Sequence, residues 1–305
     1  MSFLTEYADS FVEHAIDKIL RVPSRYRRFN QCTDQAAALH RIDEPLLERL
    51  LDLGLPHRQA GRERRFDALD LENIAMSLRL PCPRRIALQW WSRTLNNTAE
   101  DENNRLPYEL RIGAPCPVPH SGACDFALHH LVEAAAGSVA PQTVSPGSYT
   151  LHISRPRCHI RFGTFLDFLV CKAKALEFHL IPDELEHDMG FVAETGLADC
   201  KLGNRYLARE AASEGLNTRL VAGLLLSRPV AAWHWWMKVQ FGDAWYAADP
   251  FLLQTLATWK VADTTIWPPD RSPEELFWEL GDHYVYLVTH NGVGAPWHAG
   301  VRSVG

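Results

Sequence analysis

Residues 231–250 read AAWHWWMKVQFGDAWYAADP, and this stretch predicts a β-hairpin. Apolar side chains alternate with other types over residues 233–241, which is the period of a β-strand. The pair Gly242-Asp243 favours a two-residue turn, after which a second short strand returns and ends in an aspartate. The alternation puts His234 on the opposite face from the apolar set, so we expect His234 to lie off the core face.

The tight turn also sets which residues of the two strands face each other. Phe241 opposes Ala244, and the same register continues until Trp236 opposes Asp249. Asp249 and His234 then share one face of the hairpin as diagonal neighbours, at roughly 7–8 Å between their backbones. A carboxylate at that distance can accept the imidazole N–H and orient the ring. The hairpin therefore pairs a candidate base with a candidate orienting acid.

A cysteine earlier in the chain stands in a pattern typical of a helix start. Residues 196–226 read GLADCKLGNRYLAREAASEGLNTRLVAGLLL. Asp199 can cap a helix whose first turn carries Cys200, Gly215 ends that helix, and the apolar run that follows predicts a strand buried on both faces. The amide groups and macrodipole at a helix N-terminus favour the thiolate, whereas the charge of Asp199 opposes it. Cys200 is thus a candidate nucleophile that needs a histidine partner.

Together these segments resemble the transglutaminase-like superfamily. A cysteine at a helix start is followed by EGLNTRLVAG, then by WHWWMKV and then by AWYAADP, over about residues 160–290. The resemblance implies a papain-like fold, in which the cysteine helix packs on an antiparallel sheet. It also implies that Cys200 is the nucleophile, His234 its base and Asp249 the orienting group. Trp236 shares the face of His234, and we expect it to bind substrate by lining the acyl pocket.

The first hundred residues predict a mainly helical domain. Residues 4–20 have the spacing of an amphipathic helix, residues 44–53 predict a helix that Gly54 ends, and Asp70 can cap the next helix. Residues 36–80 resemble the winged-helix module of MerR-type regulators. The helix that would read DNA carries three carboxylates against one cation: Glu44, Glu48 and Asp52 against Arg49. Because these carboxylates repel phosphates, we interpret the module as a structural or protein-binding unit.

A polar stretch suggests where the chain divides. Residues 96–104 read NNTAEDENN and predict an exposed linker, so we expect domains at residues 1–100 and 105–305. In the second domain, residues 125–136 and 165–178 predict helices. The fold class that follows is α+β: a papain- or transglutaminase-like catalytic core with an antiparallel sheet, preceded by the mainly helical domain.

Composition limits the location and partners of the protein. The chain has 305 residues, a formal net charge of −6 and seven irregularly spaced cysteines. The charge opposes a nucleic-acid partner, and the cysteine spacing is not typical of a disulfide framework. Apolar runs are too short for a secretory signal or a membrane span, so we expect a cytoplasmic protein without a membrane partner.

One cysteine-rich segment has spacings that a zinc site could use. Cys116, His120 and Cys124 lie in CPVPHSGAC, with Cys158 and His159 as possible further ligands. Zinc sites more often contain a CxxC knuckle, which this segment lacks, so we expect no metal. Neither GxGxxG nor GxxxxGK[ST] occurs in the chain, and we expect no redox or nucleotide cofactor.

Three functions are compatible with the sequence. The first is cysteine-dependent acyl transfer from an amide or thioester donor to an amine, with a small-molecule, peptide or carrier-protein-bound acyl substrate. The second is an intracellular peptidase or deamidase that uses the same triad. The third, of another class, is a non-catalytic winged-helix adaptor or regulator.

Overall fold

The computed structural model describes residues 9–100, 105–117, 122–137 and 139–303. The helices of these ranges are α1 (Asp9–Arg21), α2 (Thr33–His40), α3 (Glu44–Asp52), α4 (Ala68–Ser77), α5 (Pro83–Glu100), α6 (His130–Ala136), α7 (Asp167–Lys174), α8 (Met189–Thr195), α9 (Cys200–Ser213) and α10 (Pro250–Thr258). The strands are β1 (Gln31–Cys32), β2 (Arg58–Ala60), β3 (Glu63–Phe66), β4 (Arg105–Gly113), β5 (Phe126–Leu128), β6 (Gln142–Ser145), β7 (Ser148–Pro156), β8 (Glu177–Phe178), β9 (Leu197–Ala198), β10 (Thr218–Leu225), β11 (Ala232–Phe241), β12 (Ala244–Ala248), β13 (Phe277–Gly281), β14 (Val288–His290), β15 (Val293–Gly294) and β16 (His298–Ser303). The larger sheets are antiparallel, and the expected α+β class is confirmed.

The chain forms two compact units. Unit 1 consists of Met1–Gln89 and Leu176–Leu202, and unit 2 consists of Trp90–Ala175 and Gly203–Gly305. The sequence suggested a linker at residues 96–104, but residues up to Glu100 continue α5, and residues 101–104 lie outside the described ranges. A polar composition alone does not exclude a helix, and the division into domains at residues 1–100 and 105–305 stays a prediction.

Unit 1 has an apolar core between its helices and a small sheet. Helix α1 packs against α4, α2 packs against α4 and β3, and β1, β3 and β2 form an antiparallel sheet in that order. Gly54 follows α3 with a φ of 96°, a conformation that glycine adopts at low cost, so the predicted end of this helix is confirmed. The predicted helix at residues 4–20 is confirmed from Asp9 onward, and residues 4–8 are not described.

The start of α4 differs from the prediction by three residues. The side chain of Asp67 accepts hydrogen bonds from the backbone N–H groups of Leu69 and Asp70, at 2.8 and 3.3 Å. Asp67 is therefore the N-cap, and Asp70 lies within the first turn, where it pairs with Arg27 at 2.6 Å. Extended backbone at Asp67, which an N-cap requires, explains the choice between the two aspartates.

Three sheets of unit 2 contribute buried residues to a shared apolar cluster. Their strand orders are β16-β4-β7-β6, β12-β11-β10-β13 and β15-β14-β5, and buried residues of all three sheets belong to the same core cluster. Helix α7 lies inside the predicted helix at residues 165–178. The predicted helix at residues 125–136 begins only at His130, because the preceding residues form β5 against β14.

The hairpin β11–β12 has the register expected from its turn. Phe241 pairs with Ala244 and Met237 pairs with Ala248, as the two-residue turn requires. Strand β10 lies between β11 and β13, and its second half is buried, in agreement with the apolar run of the sequence. No helix of the described ranges combines the length and the apolar character needed to cross a lipid bilayer.

Candidate active site

The hairpin brings His234 and Asp249 into direct contact. Nε2 of His234 lies 2.6 Å from Oδ2 of Asp249, in a bond between a residue that is 5% exposed and one that is fully buried. Asp249 follows the last residue of β12, and it is also the N-cap of α10. The position of His234 therefore follows from its place in strand β11, and that of Asp249 from the start of helix α10.

The second carboxylate oxygen of Asp249 has its own partners. Oδ1 accepts a hydrogen bond from the backbone N–H of Leu252 at 2.9 Å and from Nδ2 of Asn204 at 3.1 Å. A buried carboxylate is costly unless hydrogen bonds replace its water, and here both oxygens have donors or an imidazole. These contacts hold the carboxylate in one orientation, which in turn orients the ring of His234.

Asn204 is a member of this site that the sequence did not reveal. Its side chain is fully buried, and Nδ2 also donates to the carbonyl oxygen of Trp235 at 2.9 Å. Asn204 thus joins α9 both to strand β11 and to Asp249. One signal in the sequence could have indicated it, because Asn204 follows Cys200 by four residues and so lies on the same face of the helix.

Cys200 is the first residue of α9 and is partly exposed. Oδ1 of Asp199 accepts a hydrogen bond from the backbone N–H of Leu202 at 2.8 Å, which confirms the predicted N-cap. Burial raises the pKa of the Asp199 carboxyl above its ordinary value, although hydrogen bonds from the N–H groups of Leu202 and Lys201 oppose this rise.

Helix α9 continues across the division between the two units, with Cys200 in unit 1 and Asn204 in unit 2. The structure brings together His234, Asp249 and Asn204. Cys200 begins the helix that carries Asn204.

Two aromatic rings pack near His234 on its own face of the sheet. Trp236 is 1% exposed, and its ring lies parallel to that of His234, with 6.2 Å between centroids and 11° between planes. The ring of Phe277 packs against both, at 4.5 Å from Trp236 and 5.3 Å from His234. The expectation that His234 lies off the core face is therefore wrong, because alternation does not distinguish the sides of a sheet covered on both. A role of Trp236 in substrate binding stays a prediction.

A second cluster of reactive side chains lies elsewhere in unit 2. The ligand atoms of Cys116, Cys124 and His290 are all within 4.8 Å of one another. His120 lies outside the described residues. Cys158 and His159 are not members of the cluster, and the backbone N–H of Cys158 donates to Glu275 at 2.6 Å.

Comparison of the chain with protein families, with characterised proteins and with solved structures found no match.

Proposed function

We propose that this protein is a cysteine-dependent acyltransferase in which Cys200, His234 and Asp249 act as a catalytic triad on a papain-like core. The strongest support is the buried hydrogen bond of 2.6 Å between His234 and Asp249. Further support comes from Asn204, which contacts Asp249 from the helix that begins at Cys200. A nucleophile at a helix start, a base and an orienting acid are the three parts that such chemistry needs.

The two ring nitrogens of His234 have different partners in the triad. Since Nε2 is engaged by Asp249, Nδ1 is assigned to the thiol and takes the proton of Sγ. The thiolate attacks the carbonyl carbon of an amide or thioester, and a new C–S bond forms. The C–N or C–S bond to the leaving group breaks, and His234 returns the proton to the departing amine or thiol. Asp249 stabilises the imidazolium between these two steps.

The acyl group of the acyl-enzyme is then transferred to an amine. The amine nitrogen attacks the thioester carbon, His234 accepts its proton, and the C–S bond breaks to release an amide and regenerate Cys200. Water in place of the amine would give hydrolysis and hence a peptidase or deamidase. The acyl donor proposed is a small molecule, a peptide or an acyl group on a carrier protein.

Alkylation of the full-length protein by iodoacetamide between pH 5 and pH 9, followed by mass spectrometry, tests the triad. An ordinary thiol with a pKa of about 8.5 is only about 0.3% ionised at pH 6. We expect one fast adduct at Cys200 that is lost in Cys200→Ser. At pH 6 the alkylation of Cys200 should slow by about tenfold or more in His234→Ala and in Asp249→Asn, because the thiolate then lacks the imidazolium that stabilises it. The exposed His152, changed to alanine, is the matched control and should leave the rate unchanged.

Two results decide between the alternatives. If Cys200 reacts no faster than the other cysteines and His234→Ala has no effect, the triad is rejected and a non-catalytic adaptor takes its place. If Cys200 is activated, thioester and amide donors are supplied with and without a primary amine. Amide formation supports the transferase, and release of the free acid in the presence of the amine supports the hydrolase instead.

A further inference from the structure

Two exposed thiols and one buried imidazole come together at the edge of unit 2. The sulfur atoms of Cys116 and Cys124 and a ring nitrogen of His290 all lie within 4.8 Å of one another. Cys116 and Cys124 are exposed, whereas His290 is 6% exposed. None of these side chains belongs to the candidate active site.

The backbone around this cluster is held by paired strands. His290 is the last residue of β14 and faces Phe126 of β5, and the two rings are 4.7 Å apart. The next residue, Asn291, exchanges two hydrogen bonds with Asp125: its N–H donates to the Asp125 carbonyl at 2.7 Å, and its Oδ1 accepts from the Asp125 N–H at 2.9 Å. Cys124 directly precedes this clamped pair, so its position relative to His290 is set by the strands.

The segment that carries Cys116 is attached to the sheet that contains β4. It follows β4 by three residues, and the N–H of Ala114 donates to the carbonyl of Gly147 at 2.9 Å. A Cβ at Gly147 would lie 2.6 Å from the Ala114 oxygen and 3.1 Å from the ring of Phe126. The same phenylalanine that packs on His290 is therefore in contact with the turn that holds the Cys116 segment. His290 ends β14, Cys116 follows β4 by three residues and Cys124 precedes β5 by two, so each ligand lies in or next to a paired strand.

We propose that Cys116, Cys124 and His290 bind a Zn²⁺ ion through two thiolates and one imidazole. Zinc–sulfur bonds of about 2.3 Å and zinc–nitrogen bonds of about 2.0–2.1 Å put tetrahedral ligand atoms about 3.5–3.8 Å apart. The observed separations, all within 4.8 Å, need only small side-chain rotations to reach this geometry. Thiolate and imidazole ligands select zinc over the oxygen-preferring Mg²⁺ and Ca²⁺. The described part of the chain supplies three ligands, and water completes the tetrahedron.

Binding has two physical consequences. Zinc displaces the protons of both thiols, so each ion bound releases two protons from the two cysteines in their neutral form. The ion also links the segment after β4 to the pair β5–β14, and so it connects two of the three sheets of unit 2. Because the unfolded chain lacks this arrangement, zinc stabilises the folded state.

The test uses reduced, metal-free full-length protein titrated with ZnCl₂. We expect one zinc per chain, release of about two protons, measured from the binding enthalpies in buffers of different ionisation heat, and a higher midpoint of thermal unfolding with zinc. Cys116→Ser and Cys124→Ser should each weaken zinc binding by about a hundredfold or more. Cys171→Ser, which changes another exposed cysteine, is the matched control and should bind zinc like the parent.

Cobalt gives an independent measure of the ligands. Co²⁺ at this site should show thiolate-to-cobalt charge-transfer absorption, which weakens in either single cysteine variant and vanishes in Cys116→Ser/Cys124→Ser. The exposed cysteines are the main targets because replacement of the buried His290 can disturb the fold. Equal zinc binding by the parent and the double variant would overturn the proposal. Failure of the reduced protein to bind zinc would also overturn the proposal. This holds even if Cys116 and Cys124 form a disulfide when the reductant is left out.

Discussion

At the scale of single residues, His179 is a buried imidazole. It is 1% exposed, and among the described residues no group hydrogen-bonds to either of its ring nitrogens. Burial, followed by the positive charges of Lys18, Arg27 and Arg21, lowers its pKa from 6.5 to about 3. The folded protein therefore keeps this imidazole neutral at pH values where the unfolded chain protonates it.

His179 gives a prediction for the pH dependence of stability. Between pH 6.5 and pH 3 the unfolded chain binds a proton that the folded chain does not, so the free energy of unfolding falls as pH falls, by about 1.4 kcal/mol per pH unit. The loss is absent above pH 6.5. His179→Leu should remove this contribution. At pH 5 the variant should therefore retain about 2 kcal/mol of the free energy of unfolding that the parent loses. Urea unfolding at pH 7.5 and pH 5 measures the difference.

The control for this prediction is His152→Gln, which changes an exposed histidine and should leave the pH dependence unaltered. If the parent and His179→Leu lose the same free energy of unfolding between the two pH values, His179 does not remain neutral in the folded protein.

At the scale of elements, Gly223 allows a close approach between β10 and β13. It lies in β10 opposite His234 of β11, and the pairing of β10 with β13 is irregular between Ala222 and Gly223. A Cβ at residue 223 would stand 2.0 Å from the carbonyl oxygen of Trp278, and backbone cannot move aside as a flexible side chain can. The strand that carries His234 is thus packed in a sheet that tolerates no side chain at this position.

Gly223→Ala should therefore lower the free energy of unfolding of unit 2 by about 3 kcal/mol, because the added methyl group forces β10 and β13 apart. The matched control is Gly242→Asn in the hairpin turn. Gly242 has a φ of 62° with no atom within 4 Å of the added Cβ, and asparagine tolerates this conformation, so the change should be below about 1 kcal/mol. Urea unfolding of both variants checks the order, and similar losses would contradict the close approach.

Local geometry explains which parts of the elements could be predicted. The register of β11 and β12 follows from two turn residues, and the cap at Asp199 follows from one side chain, so both were open to prediction. The burial of His234 and the contact of Asn204 with Asp249 depend on what packs against the hairpin from distant parts of the chain. No periodicity within a single segment contains that information.

At the scale of the whole molecule, unit 1 is built from two separate stretches of chain. The side chain of Asn73 donates to the carbonyl of Leu180 at 2.8 Å and accepts from its N–H at 2.7 Å. Arg21 of α1 donates to the carbonyl of Thr195 at 3.0 Å. Unit 1 thus uses residues from 176 to 202 as part of its fold, and a boundary drawn after residue 100 leaves them out.

A fragment of residues 1–100 should consequently fail to fold stably. Each lost hydrogen bond with Leu180 and Thr195 removes about 1 kcal/mol, and the apolar residues of the second segment are lost as well. A fragment that joins Met1–Gln89 to Leu176–Leu202 through a flexible linker should unfold cooperatively in urea, as followed by circular dichroism. Equal transitions in both fragments would mean that the second segment adds no stability to unit 1.

The division of the chain could not be predicted because the relevant contacts link positions far apart in sequence. The polar composition of residues 96–104 suggested a linker. Contacts such as that between Asn73 and Leu180 cannot be inferred from the composition of either segment. The sequence predicted the class of fold and the His234–Asp249 pair correctly. It did not predict which segments assemble with which.

The position of β4 has a consequence for how the protein is made. In its sheet β4 lies between β7 and β16, where Leu110 faces Leu151 on one side and Val301 on the other. A ribosome that adds about 5–20 residues per second emits Val301 roughly 10–40 seconds after Leu110. During that interval the growing chain presents one unpaired edge of β4 to other nascent chains, which is a site for aggregation. Unit 2 can complete this sheet only after β16 has left the ribosome, so its yield should depend on protection of that edge by a molecular chaperone.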